Sequence, residues 1–440
     1  MEIHELERRR RLVSLCVLSA ILAVGIYFVA RALLASIDLA TNLFYFQRFS
    51  FASVEAAQHR LGSVALFVPV VGGLIVGLMA RYGSSAIRGH GIPEAMEKIL
   101  VGESRIPRRI TWLKPISSAV AIGSGGPFGA EGPIIATGAA LGSWLGQLLP
   151  VSATERKILL ASGAAAGMTA IFGTPVAAVL LAIELLLFEF RAKSFIPVAL
   201  ASVIAASLRF AFAGSDPMFP MSPITAPSGG AMSFYLLLGV PIGLLSVVLT
   251  KLVYGIEDAF ERLPMHWMWW PALGGLAVGL VGLWEPRALG VGYENIENML
   301  TGRFVASAAI VVLAAKALAW SLALGSGTSG GTLAPLLTLG GLCGYLAGLA
   351  GQSLFPQVGI DPTVAALVGM AGLFAGASRA LLASVVFAFE ATRQPLGLFP
   401  LLGSGSVAYL VSALLMENSI MTEKIVRRGV RVPHEYYPRA

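Results

Sequence analysis

Uncharged stretches recur along the chain, at 13–30, 62–80, 132–154, 158–183, 217–250, 317–360 and 395–416. A helix needs roughly 20 apolar residues to cross the hydrocarbon layer, so these stretches predict membrane helices, and the longer ones hold more than one. Other apolar runs are short and bounded by Gly or Pro: Ile92–Val101, 133–148 and 332–349. Short helices that stop at mid-membrane leave N–H groups unpaired at their starts. Backbone of that kind is tolerated at depth only when it is buried in protein or lines a watery cavity.

Composition agrees with the pattern. Hydrophobic residues make up 56% of the 440 and charged residues only 12%, with a mean hydropathy of +0.78. A soluble domain averages about 25% charged residues, so this chain lacks the polar surface such a fold needs. Its 50 glycines suit close helix packing and broken helices in lipid. The net charge of +7 is not a nucleic-acid signal, because the basic residues cluster at 8–11, 105–109, 191–193 and 424–431, flanking apolar runs. The positive-inside rule reads them as cytoplasmic anchors, which places both termini in the cytoplasm. Cys16 and Cys343 both fall in apolar segments, so no disulfide framework and no metal cluster is expected.

Two stretches share a skeleton. Gly123-Ser124-Gly125, Gly129, Pro133, Gly138 and Gly142 recur as Gly325-Ser326-Gly327, Gly331, Pro335, Gly340 and Gly344, and Lys114 recurs as Lys316. A second echo pairs Glu184 with Glu390 after Ala182-Ile183 and Ala388-Phe389. The chain therefore divides into halves at 12–215 and 230–440 of one transmembrane domain, joined by a Pro-, Ser- and Gly-rich link over 214–230, with no soluble regulatory domain expected. Matched broken helices in two halves of a membrane protein point to an ion or substrate site. Three Gly/Pro-initiated helix starts are visible, at Gly89–Pro93, Gly129–Pro133 and Gly331–Pro335. Helix N-termini carry free donors and partial positive charge, so their convergence predicts an anion site. Only the first copy of the skeleton carries a carboxylate, Glu131, where the second has Leu333.

The motifs resemble those of the CLC family of chloride channels and proton-coupled chloride exchangers. Gly89–Glu94 (GHGIPE) is similar to the family's GSGIPE, Gly123–Pro133 (GSGGPFGAEGP) to its GSGG…GREGP, Gly327–Pro335 (GTSGGTLAP) to its GxPGGxFxP, and Ser419–Gly429 to its last helix. The resemblance implies an all-α, inverted-repeat fold of short, broken and tilted helices, in a homodimer with one pore per subunit in a bacterial inner membrane. It implies that Glu131 is the gate, its carboxylate occupying anion sites and swinging out when protonated. Backbone amides of Thr332, Leu333 and Ala334, with those around Glu131 and Gly132, would hold the outer and central chloride ions. Those of Gly89, His90 and Gly91 would hold the inner one. No other cofactor is implied.

The departures bear on mechanism. His90 stands where the family has its central-site serine, Met421 where it has its pore tyrosine, and Leu333 replaces the usual Phe. Both usual hydroxyl donors at the central anion are then missing. His90 is either a neutral imidazole satisfied by hydrogen bonds or a donor of N–H to the anion. Titration near neutrality would make anion occupancy depend on pH. Many exchangers carry two consecutive acids where this chain reads Glu184-Leu185, and Ala130 replaces the Arg before the gate. Leu185 favours channel-like or weakly coupled conduction, with proton-coupled exchange as the alternative. Glu184 and Glu390 are expected at cytoplasmic helix ends, paired with Arg191 or Arg379. Trp267, Trp269 and Trp270 read as an interfacial belt. A remote alternative is an intramembrane serine protease, from the GxSG look of Gly327–Gly330; such a serine needs a His base on a later helix, and the only later His is His434.

Overall fold

A computed structural model describes residues 2–433, which form an all-helical fold with no β-strand among them. Eight helical segments, from Arg9–Phe46 to Pro395–Leu415, are long and apolar enough to cross a bilayer. The first half contains α1 (Glu2–Phe46), α2 (Val68–Tyr82), α3 (Ile92–Val101), α4 (Ile110–Gly123), α5 (Glu131–Leu148), α6 (Ala153–Phe172), α7 (Pro175–Leu181) and α8 (Ala192–Ala213). The second repeats that order as α9 (Gly229–Glu261), α10 (Trp270–Trp284), α11 (Tyr293–Leu300), α12 (Ala306–Gly325), α13 (Leu333–Leu354), α14 (Pro362–Ser378), α15 (Leu381–Thr392) and α16 (Leu398–Leu415). A short α17 (Glu423–Arg427) follows. Helix α13 has 22 residues, so the expectation of a short third helix there is corrected; α3, with 10, is short as expected.

Glycine explains how these helices come so close. A Cβ on Gly138 of α5 would lie 2.2 Å from the carbonyl oxygen of Gly163 on α6, and one on Gly163 would lie 2.1 Å from that of Gly138. Gly340 of α13 and Gly369 of α14 repeat the contact at 2.3 and 2.2 Å. In lipid, where apolar side chains gain nothing by leaving their surroundings, small residues let backbones pack directly.

The two lysines of the repeat are buried anchors. Lys114 Nζ donates to the carbonyls of Ile87 (2.8 Å) and Gly89 (2.6 Å). Lys316 Nζ donates to those of Ala288 (3.1 Å) and Gly290 (2.7 Å). Each ties down the loop that launches a short helix, α3 or α11.

Among the described residues the partners seen for Glu184 and Glu390 are backbone amides and not the expected arginines. The Glu184 carboxylate accepts the N–H groups of Leu382 (3.0 Å) and Ala383 (2.9 Å) at the start of α15. The Glu390 carboxylate accepts those of Val176 (3.1 Å) and Ala177 (2.8 Å) at the start of α7. Each acid caps the other's helix, where the unpaired donors and dipole favour negative charge. Helices α7 and α15 therefore run antiparallel and their acids lie at opposite ends, which corrects the placement of both on one side. Arg379 instead donates to the carbonyls of Met416 and Glu417.

Candidate functional site

The broken-helix loops meet as backbone. Gly129 N–H donates to the Gly331 carbonyl (3.2 Å), Gly331 N–H returns the bond (3.0 Å), and Gly330 N–H reaches the carbonyl of Gly89 (3.4 Å). Gly89 and Gly91 adopt φ of +86° and +92°, left-handed values that only glycine reaches freely. A Cβ on Gly132 would lie 2.4 Å from the carbonyl oxygen of His90 and 2.8 Å from Gly331 Cα. The starts of α3, α5 and α13 thus converge, bringing together the loop Gly89-His90-Gly91, Glu131, Gly132 and the Thr332-Leu333-Ala334 turn.

Glu131 is fully buried. Its carboxylate faces its own backbone N–H and that of Ala334, and Oε1 accepts a long hydrogen bond from the Tyr293 hydroxyl (3.4 Å). Oε2 finds no partner of good geometry. A buried acceptor left short of partners is costly, so the carboxylate is seated on the helix-start amides without being locked there. It folds back over Gly129, where a Cβ would lie 1.6 Å from Oε2.

Tyr293 was not foreseen. It opens α11, a fourth helix start, after the positive-φ glycines Gly290 and Gly292. Gly290-Val291-Gly292 stands to Lys316 much as Gly89-His90-Gly91 stands to Lys114, and that spacing was the available signal. Thr332 was expected to act only through its amide, yet its hydroxyl is buried without a partner.

Two cavities flank this convergence. One, of about 760 Å³, reaches Ala130, Gly290 and Tyr293 and is rimmed by Arg31, Asp38, Glu55, Arg209 and Arg287. In its loop, burial and the neighbouring Glu294 push the Glu55 carboxyl up to about 8. The other cavity, of about 720 Å³, reaches Gly89, His90, Gly327 and Ile420. In its wall Glu94 accepts Gly91 N–H (2.8 Å) and pairs with Lys424 (3.0 Å), while Glu97 pairs with Arg428. Arg88 lies over the rings of Trp267 (4.8 Å) and Trp270 (5.4 Å), so these two tryptophans hold a cation at the cavity mouth and only Trp269 fits a simple belt.

The structure decides several side-chain readings. His90 is buried, and its Nδ1 has no hydrogen-bond partner among the described residues. Met421 is buried in the core, and its neighbour Ile420 is the residue that lines the cavity. Leu185 is buried in the core. Ser329 Oγ bonds only to the hydroxyls of Ser117 (3.2 Å) and Ser118 (3.0 Å). No base reaches it among the described residues, and His434 lies outside them.

Comparison with known proteins bears on these features. A family model described as voltage gated chloride channel matches residues 72–413. The H(+)/Cl(-) exchange transporter ClcA of Vibrio campbellii is 31% identical over 80% of this chain and 76% of its own length. The chloride channel protein CLC-f of Arabidopsis thaliana is 31% identical over 79% of this chain and 47% of its own length. The solved structure of a slow cyanobacterial Cl-/H+ antiporter superposes with a TM-score of 0.82 at 23% identity, covering 93% of this chain and 98% of its own.

Proposed function

The chain belongs to the voltage gated chloride channel family, and from that premise we propose that it is a proton-coupled chloride exchanger gated by Glu131. This departs from the channel-like lean that Leu185 suggests. The ClcA relative carries the name of an exchange transporter, and the fold matches that of an antiporter.

The observation that carries the reading is the seat of Glu131. Its carboxylate lies on helix-start amides, with its neighbours Ala130 and Tyr293 lining one cavity and His90, which abuts Gly132, lining the other. Amides arranged for one anion hold either the carboxylate or a chloride ion, so chloride enters when the carboxylate leaves. Protonation removes the charge that those donors favour, which ties departure of the gate to uptake of a proton. Chloride then rests on the amides of Gly132, Thr332, Leu333 and Ala334, with the Thr332 hydroxyl as an added donor. The amides of Gly89 and His90 hold the next position inward; the expected share of Gly91 is corrected, because its N–H is given to Glu94, and Met421 packs behind without a donor.

The cavity that reaches His90 faces the cytoplasm in this reading, because Lys424, Arg427 and Arg428 stand at its rim and cationic residues concentrate on that side. Two copies assemble, each with its own pore, as the family resemblance implies. Paired chloride and proton flux in liposomes tests the reading. An imposed chloride gradient drives protons against their own gradient in wild type, Glu131→Gln passes chloride and moves no protons, and His90→Ser alters anion preference. Wild-type chloride flux with no proton movement refutes exchange and restores the channel reading.

A further inference from the structure

Exchange requires protons to reach Glu131 from the His90 side as well as from the Tyr293 side. The sequence offers no acid at 185, since Leu185 is buried in the core, and both oxygens of Glu184 are taken by α15 amides. Four carboxylates line the cavity on the His90 side: Glu94, Glu97, Glu257 and Glu261. Glu94 is committed to Gly91 N–H and Lys424, and Glu97 to Arg428. Glu261 is exposed at the end of α9. Glu257, one turn earlier on the same helix, is half-buried and has neither a hydrogen bond nor an ion pair among the described residues. It stands in the field of Lys424, Arg427 and Arg88, with Glu261 the opposing charge.

The cavity's inner end supplies the second observation. His90 lines it, is buried, and leaves Nδ1 without a partner. The same residue's carbonyl abuts Gly132, the chain neighbour of Glu131. A space of about 720 Å³ holds roughly 20 waters at the ~30 Å³ each takes in the liquid, enough to join Glu257 to the imidazole.

We propose that Glu257 collects protons on this side and that His90 passes them on to Glu131, an inference that rests on the exchanger reading. The Glu257 carboxylate takes a proton from cavity water and releases it through water to the neutral imidazole. The imidazolium then gives a proton to the Glu131 carboxylate and returns to neutrality. Only bonds to hydrogen change, and each transfer leaves its donor ready for the next. A carboxylate with no fixed partner suits the collecting role, because a proton can arrive and leave without breaking a structural bond.

The test is paired flux from liposomes holding the full-length protein. In Glu257→Gln, proton movement falls by about 100-fold, as expected for loss of a positioned proton-transfer group, while chloride flux stays within about twofold of wild type. Glu257→Asp recovers proton movement, and Glu261→Gln leaves it unchanged. A coupled wild type with an equally coupled Glu257→Gln overturns the inference and leaves the exchanger reading standing. A wild type that moves no protons overturns both. Loss of proton movement in Glu261→Gln but not in Glu257→Gln overturns the assignment as well.

Discussion

Gly129 and Gly331 hold matching places in the two halves, and each donates its N–H to the other's carbonyl. What occupies the space beside them differs. At Gly129 the three atoms nearest a built Cβ all belong to the Glu131 carboxylate, with Oε2 at 1.6 Å. At Gly331 the nearest is the backbone oxygen of Gly129 at 2.5 Å, with Glu131 Oε2 and the nitrogen of Gly132 both at 2.9 Å. One half fills the space wholly with a side chain that can rotate away, the other first with backbone that cannot. Duplication of a rigid scaffold thus leaves a moving part only where the copies diverge, at Glu131 against Leu333.

This contrast is open to breakage at the two glycines. Gly331→Ala forces backbone apart, at a cost of about 1–3 kcal/mol for overpacking; we expect a clearly lower melting temperature in detergent and loss of chloride flux. Gly129→Ala displaces the carboxylate instead, so chloride flux rises while the melting temperature stays near wild type. Equal destabilisation by both substitutions would end the distinction between moving and fixed halves.

The reciprocal caps set up a milder contest. Glu184→Gln and Glu390→Gln each weaken a charge at a helix start, worth about 0.3–1 kcal/mol. If the two ends are equivalent by symmetry, the variants lower the melting temperature by similar small steps. An effect confined to one of them shows that the halves are unequally braced.

The smallest effect is a pH dependence on the Tyr293 side. The Glu55 carboxyl is raised from its ordinary 4.5 to about 8 by burial and Glu294, so the folded protein holds a proton there that the unfolded chain has lost. The associated stability is complete below about pH 4.5 and fades as pH rises through about 8. Glu55→Gln flattens melting temperature against pH across that window, and a profile unchanged from wild type counts against the buried pair.

The features legible in the sequence were those the backbone demands. Gly129, Gly331 and the Gly-Ser-Gly breaks recur because other atoms already lie where side chains would begin: the Glu131 carboxylate at Gly129, the Gly129 carbonyl at Gly331, the Tyr45 hydroxyl at Gly125 and the Arg88 guanidinium at Gly327. The repeat of Gly89-His90-Gly91 as Gly290-Val291-Gly292 escaped notice because the helices it launches differ in side chains, Ile92 against Tyr293 and Glu94 against Asn295. Partners made of backbone were also invisible. The sequence offers arginines to Glu184 and Glu390, but not the helix-start amides that they bind. Arg88 likewise gives no sign that Trp267 and Trp270 will hold it, since rings and cation meet only after folding.

Helices α7 and α15, clasped head to tail by their own acids, have a consequence for the direction of transport. The pair of caps reads the same when turned over, so by itself it cannot favour influx over efflux. Rectification is then written where the halves disagree, and at the site itself those positions include Glu131 against Leu333, His90 against Val291 and Ile92 against Tyr293. Those side chains give the site its polarity, and exchanging them between the halves changes the balance of influx and efflux without moving a helix.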